Sequence, residues 1–451
     1  MKKSTQYKIL LKKGLNENVV KAISKYKQEP QWMLDIRLKA LKHYMERPIP
    51  YWGANLTELR DENIQFFVPP EIQKKRTWEE IPKEIKQTFE DLKIPEAERK
   101  FLAGVETQFD SNVVYGKIKE KWENQGVIFT DTDTGLKQYP ELFQKWFGKC
   151  VPFTDNKYAA LNTACWSGGS FVYVPKGVKV EIPLQAYFYI KTQNLGQFER
   201  TLIIADEGSE VQYVEGCSAP IYSEEILHSG VIELIALKGA KIRYTTVQNW
   251  SKNIYNLVTQ RGIAYENATI EWVDCNIGSK VTMKYPCVVL AGDNSHGEVL
   301  SIAVADKDQH LDSGAKMIHI GKNSSSIITT KSICKNGGRT SYRGLVKVTK
   351  GATHSKSKIK CDALILDNKS QTDTYPYNQV YEKLSYVEHE ATVSKVSENQ
   401  LYYLMSRGLS EEEASGLIVA GFIEPVTKEL PLEYAMEMNE LIKLSMKGSV
   451  G

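Results

Sequence analysis

The rhythm of apolar and polar positions changes twice along the chain. Up to about residue 125, apolar side chains recur every three or four positions, the spacing of a helical face. In Pro30–Leu41 the apolar positions Met33, Leu34, Leu38 and Leu41 follow that spacing, and Pro30 suits a first turn, where its missing N–H removes no bond. Ile85–Leu92 and Pro95–Leu102 predict further helices, with Pro48-Ile49-Pro50 and Val68-Pro69-Pro70 as breaks. From about Trp166 to Val396, short runs of Val, Ile, Thr and Tyr alternate with Gly, Asn, Asp and Ser, which is strand-and-turn chemistry. Helix then returns. Ser410-Glu411-Glu412-Glu413 predicts a capping box leading into Ala414–Ala420, and Leu430-Pro431 opens a second helix through Ala435, Met438, Leu441, Ile442 and Met446.

The strand-rich stretch carries a hidden repeat. A Lys or Glu, then Gly or Asn, then a small residue, then any residue, then Val or Ile appears as Lys176-Gly177-Val178-Lys179-Val180 and as Glu207-Gly208-Ser209-Glu210-Val211. It returns as Lys238-Gly239-Ala240-Lys241-Ile242 and Glu266-Asn267-Ala268-Thr269-Ile270, with looser echoes at Asn294, Asn323 and Gly351. Successive markers lie 27 to 31 residues apart. A β-sandwich gives no reason for such a constant spacing. A β-solenoid does, because each coil pairs with the next about 4.8 Å away. The expected fold is therefore mainly β: a solenoid core over 126–396 between mostly helical regions at 1–125 and 397–451.

Charge and cysteine content narrow the function classes. The chain has 451 residues and a net charge of +3, from 58 basic and 55 acidic side chains. That near balance argues against a nucleic-acid binder. Met1–Lys8 is basic without an apolar stretch of signal-peptide length, and no apolar run approaches the ~20 residues of a membrane span, so a cytoplasmic protein is expected. Seven cysteines, an odd number with no C-x-x-C pair, argue against a disulfide framework and a closed zinc site. No phosphate loop of the G-x-x-x-x-G-K-S/T type occurs, so any ATP hydrolysis belongs to a partner. A solenoid carbohydrate-active enzyme is the rival from another class, but the sequence has no stacked column of acids suited to it.

Several runs resemble the SufB family. They include Trp166-Ser167-Gly168-Gly169-Ser170-Phe171-Val172-Tyr173, Val214-Glu215-Gly216-Cys217-Ser218-Ala219-Pro220 and Thr246-Val247-Gln248-Asn249-Trp250. Tyr342-Arg343-Gly344-Leu345-Val346, Cys361-Asp362 and Val387-Glu388-His389-Glu390-Ala391 continue the likeness, which reaches back to Glu29-Pro30-Gln31-Trp32. The resemblance implies a right-handed parallel β-helix that serves as a scaffold, not an enzyme, for a transient iron–sulfur cluster. It also implies a SufC ATPase docked on residues 397–451, a paralogous SufD, a cysteine desulfurase with a small sulfur shuttle, and apo-protein clients. Reduced flavin is associated with the family's complexes, and no flavin fingerprint occurs in this sequence. Two departures stand out. There is no cysteine before Cys150, and Tyr189 and Lys191 occupy places where the family pattern has Arg and Asn.

Spacing and resemblance together select candidate residues. Cys361 and His389 are 28 apart, one period, which puts them on adjacent coils. In a regular strand Glu388 and Glu390 oppose His389, whereas a bend brings one of them beside it. By pattern alone Cys361 is as good a core thiol as a ligand. The resemblance makes Cys361 the thiolate ligand, with His389 and Glu390 or Glu388 as weaker ligands. Cys217 and Gln248 are also one period apart, at 31 residues. The resemblance makes Cys217 the sulfur acceptor, with Gln248 and Trp250 along the sulfur path. Cys275 and Cys334 are expected as packing thiols. His228, His296, His310, His319 and His354 lack ligand spacing and are expected as ordinary hydrogen-bonding side chains. A SufD-like partner without its own cluster site is the nearer alternative, and Cys361 with Glu388-His389-Glu390 argues against it.

Overall fold

The repeat has a backbone cause. Gly177, Gly208, Gly239 and Gly351 have φ of 74°, 65°, 67° and 94°, and Asn267, Asn294 and Asn323 have φ of 56°, 57° and 54°. Every marker is thus a left-handed corner, a conformation open to Gly at no steric cost and to Asn at little. The corners also stitch coil to coil. Gly177 donates its N–H to the Glu207 carbonyl, Gly208 to that of Lys238, Gly239 to that of Glu266 and Asn267 to that of Asp293.

The computed structural model describes residues 12–67, 104–109, 112–118, 120–189, 196–218 and 226–428, with Ala435, Asn439 and Ile442. The expected solenoid is borne out, with about seven turns. One sheet runs, coil by coil, through Leu184–Tyr189, Glu210–Ser218, Lys241–Trp250, Thr269–Gly278, His296–Ala305, Ser325–Cys334, Lys356–Ile365 and Tyr386–Lys395, all parallel. The facing sheet stacks Ser170–Val174, Arg200–Ala205, Val231–Ala236, Ile254–Ala264, Val281–Lys284 with Cys287–Leu290, His310–His319, Arg339–Val348 and Gln371–Val380. Between the sheets lie Ile242, Trp272, Val299, Ile328 and Ile359, all buried. Tyr213, Tyr244 and Trp272 form an aromatic ladder, with centroids 5.2 and 5.1 Å apart.

Helices cover the outer faces. Glu17–Lys27, Gln31–Glu46 and Lys157–Cys165 pack on the N-terminal coils. Pro30 caps the second of these helices, as its place in the sequence predicts. Arg37 is fully buried there, bonded to Glu29 and to the carbonyls of Ala164 and Trp166. The hairpin Gly104–Phe109/Asn112–Ile118 joins the first sheet within the stretch whose pattern is helical. The helix candidates Ile85–Leu92 and Pro95–Leu102 lie outside the described residues.

At the C-terminus Glu398–Ser406 and Glu411–Thr427 are helical, and Ser410 and Glu413 form the expected capping box. Val419, Ile423 and Val426 bury against Val247, Val273 and Ile302 on the outer face of the first sheet. The second predicted helix, from Leu430 to Met446, lies outside the described residues except for Ala435, Asn439 and Ile442, which are helical. Among the described residues no helix is long and apolar enough to cross a membrane.

The solenoid's two ends differ. Ile128–Asp131 closes the first by pairing antiparallel with Ser170–Val174. At the other end Gln371–Val380 and Tyr386–Lys395 are edge strands, and Tyr377, Tyr381, Leu384, Tyr386 and Val393 are exposed.

Candidate functional site

Alternation along the strands turns every second side chain inward, and some of these are polar. Glu215, Thr246, Asp274, Ser301, Thr330 and Cys361 occupy one register position on successive coils. Each is at most 6% exposed. A second column at the next inward position holds Cys217, Gln248 and Asn276. The facing sheet presents His228, Asn256 and Thr282 in one row and Lys284, Ser313 and Tyr342 in another. A buried polar group without a partner costs about 1–3 kcal/mol; of these six, Glu215 and Cys361 meet side-chain partners, Asp274 meets Lys284, and the Thr246 hydroxyl meets none among the described residues.

At one end of the file Cys217 is buried, and its thiol donates to Glu215 Oε1 at 3.5 Å. Burial pushes this thiol well above its usual range, and the charges of Glu215 and Glu199 push it further. Glu215 is itself raised to about 7, chiefly by burial. His228 is pulled down by burial, but Glu199 outweighs this, with an oxygen 2.8 Å from Nε2, and the net shift is upward. The other ring nitrogen meets Asn256, whose amide donates to Gln248 Oε1 at 2.8 Å. Trp250 donates to the same oxygen at 3.4 Å and lies 4.7 Å, ring to ring, from His228. Gln248 and Trp250 therefore share one interior network with Asn256 and His228, and Cys217 lies beside it, in register with Gln248. One coil on, Lys284 pairs with Asp274 at 3.0 Å, both fully buried. Of the two positions where the family pattern has Arg and Asn, Tyr189 lies at a strand end and Lys191 outside the described residues.

At the other end Cys361 Sγ lies 3.6 Å from His389 Nε2. His389 is in register with Ile359, two residues before Cys361, so the pair is diagonal across neighbouring strands. Burial raises the Cys361 thiol to about 11, while the hydroxyls of Thr330 and Tyr342 oppose that rise. Burial lowers His389, so at neutral pH its imidazole is neutral with a lone pair available to a metal. The strand Tyr386–Lys395 pairs regularly over its whole length. Glu388 and Glu390 therefore face outward, opposite Lys358 and Lys360, and Glu388 lies 3.9 Å from the Lys358 ammonium. The bend that would bring a glutamate beside His389 is absent from this strand. Among the described residues no three His, Cys, Asp or Glu side chains converge as a metal centre. Cys361 and His389 bring together one thiol and one imidazole, at the solenoid's open end.

Three of the other histidines are hydrogen-bonded within the coils: His296 to Ser325, His310 to Ser341, and His319 to Ser324 and Ser326. Sequence reasoning passed over Glu215, Glu199, Asp274 and Lys284, and took His228 as an ordinary hydrogen-bonding side chain. The solenoid period was the signal that could have found the column, since stepping back from Cys361 lands on a polar residue at every coil to Glu215.

Two protein-family models match the chain. "SUF system FeS cluster assembly, SufBD core domain" covers residues 188–422, and "SufBD protein N-terminal region" covers 1–186. The chain is 58% identical over 439 residues to "Iron-sulfur cluster assembly protein SufB" of Bacillus subtilis (strain 168), covering 97% of this chain and 94% of that one. It is equally similar, with the same coverage, to an "Iron-sulfur cluster assembly SufBD family protein" of Staphylococcus aureus (strain USA300).

Proposed function

Because the chain belongs to the SufBD family of iron–sulfur cluster assembly proteins, we propose that it is the scaffold subunit of a cytoplasmic SUF complex. Sulfur from a cysteine desulfurase and its shuttle enters at Cys217 as persulfide. It travels inside the solenoid and meets iron at Cys361 and His389. The observation that carries this assignment is the polar column. It links Cys217's neighbour Glu215 to Cys361 through five interstrand steps, about 24 Å at ~4.8 Å each. Gln248 and Trp250 belong to its entrance.

The cluster is cargo, and the chemistry at Cys361 suits cargo. A thiol raised to about 11 must give up its proton to bind iron, so loading is favoured as pH rises. A single thiolate with an imidazole holds a cluster less firmly than four cysteines do, which suits release to apo-proteins. The missing ligands come from a SufD paralogue docked on the edge strands Gln371–Val380 and Tyr386–Lys395. Unpaired edges with exposed apolar side chains invite strand pairing. Glu388 and Glu390, on the outer face of the last strand, are candidate oxygen ligands once that partner is seated. The SufC ATPase docks on 397–451, where Tyr402, Tyr403 and Leu417 are exposed. A flavin has no part in this assignment.

The test is Cys361→Ala in the purified complex, with iron and sulfide quantified anaerobically. Both should fall to background while the complex stays assembled. Wild-type content would overturn the assignment.

A further inference from the structure

We propose that Glu215 is the general base that takes the proton from Cys217 as sulfur arrives. The inference rests on Cys217 as the sulfur acceptor and adds the group that makes it reactive.

A persulfide acceptor attacks as thiolate. Cys217 is poorly placed to ionise unaided, since it is 2% exposed and faces two carboxylates. Its thiol nonetheless donates directly to Glu215 Oε1, from the same strand and the same inward face. Glu215 is spared by the interior's ion pairs, because Lys284 is engaged by Asp274 and His228 by Glu199. A carboxylate locked to a cation would be a weak base. Burial instead brings Glu215 to about 7, where it is part-ionised at neutral pH and basic enough to accept a proton in a transition state.

The groups facing Glu215 are few. Tyr244 comes from the next coil, Cys217 from its own strand, and Glu199, His228 and Lys284 from the facing side. Tyr244 and Lys284 favour the carboxylate and Glu199 opposes it.

The step balances without an oxidant. The Cys217 proton moves to Glu215 as its sulfur attacks the outer sulfur of the donor persulfide. A new S–S bond forms at Cys217, the donor's S–S bond breaks, and the donor leaves as thiolate. Glu215 then returns its proton to solvent or to that thiolate.

The experiment follows Cys217 in the full chain by peptide mass spectrometry from about pH 5.5 to 9.5, a range spanning the Glu215 titration and the ordinary thiol range. Two probes are used, glutathione persulfide for sulfur transfer and iodoacetamide for thiolate formation. In the wild type both rates should rise with a midpoint near 7, as Glu215 deprotonates. Glu215→Gln keeps the shape and removes the base. Its rates at neutral pH should fall on the order of 10²-fold, and its midpoint should move into the thiol's own range or above. Glu215→Asp should regain part of the rate with a midpoint still near neutrality.

A Glu215→Gln profile that overlays the wild type would overturn the base while leaving the acceptor intact. Wild-type Cys217 that is alkylated with the neutral midpoint but never persulfidated would sink the acceptor and keep the base. If Glu215→Gln does not fold, a wild-type midpoint at or above the ordinary thiol range overturns the proposal on its own.

Discussion

The two cysteines at the ends of the interior column sit in opposite surroundings. Cys217 lies between paired coils, 2% exposed, with Glu215 and Glu199 turned toward it. Cys361 is also buried, but only one further strand stacks beyond it, and its neighbours are the Thr330 and Tyr342 hydroxyls and a neutral imidazole. Acids penalise a sulfur anion, whereas hydroxyl donors and a ligand imidazole welcome one. The thiol shifts follow: well above the ordinary range at Cys217, about 11 at Cys361. The surroundings therefore oppose a sulfur anion at Cys217 more than at Cys361. On the proposed path, that contrast would give the column a direction.

The largest expected effect comes from cutting the column between the two sites. Asp274→Ala leaves the Lys284 ammonium buried without its partner, which typically costs about 3–5 kcal/mol. Chemical denaturation should show a loss of that size. Replacing both partners, Asp274→Leu with Lys284→Met, removes the stranded charge and should restore most of the stability. The double variant still interrupts the polar file. Sulfur should then accumulate at Cys217 and not reach Cys361, read by persulfide labelling of each site. Normal labelling at Cys361 in the stable double variant would show that the file is only a structural ion pair and its neighbours.

The closed and open ends of the solenoid supply the next contrast. Tyr377 and Tyr386 are each 62% exposed on the edge strands, so Lys at both should leave the melting temperature within a degree or two, as surface changes usually do. Edge lysines discourage strand addition. Co-purification with the SufD paralogue should fall sharply, and cluster content with it. Undiminished pairing would move the partner to another surface.

The architecture was legible for a specific reason. A solenoid repeats its corners, and a corner with positive φ accepts few residue types, so Gly and Asn recur in the sequence wherever the chain turns. The helix starting at Gln31 and the Ser410 capping box were legible because their signals are local. The hairpin Gly104–Ile118 was not, because its strands depend on pairing with Leu184–Tyr189, far along the chain. The site divides in the same way. Cys361 and His389 were within reach of the period, although the register is two residues off the simple stack, with Ala391 opposite Cys361. Glu215 was hidden because an acid in a strand reads as a solvent-facing residue. Only the register shows that its side of the strand is the inside.

The smallest effects concern the last coil, where sequence and geometry leave a choice between imidazole and carboxylate. His389 points inward at Cys361, whereas Glu388 and Glu390 stand on the other face of a regular strand opposite Lys358 and Lys360. On the proposed assignment, His389 should therefore contribute in the chain alone to iron held at Cys361, and the glutamates should not. His389→Ala should weaken retention of ferrous iron by the isolated chain about tenfold, the lower end for losing a supporting group of a metal site. Glu390→Ala and Glu388→Ala should leave it unchanged there. In the proposed complex with the paralogue, the glutamates should gain access to the shared site. Glu390→Ala should then give a cluster that chelator removes faster, by a smaller factor than His389→Ala. Absorbance decay under a competing chelator, with and without the partner, separates these cases. A Glu390→Ala defect already present in the isolated chain would mean that the last strand rearranges to bring the carboxylate inside.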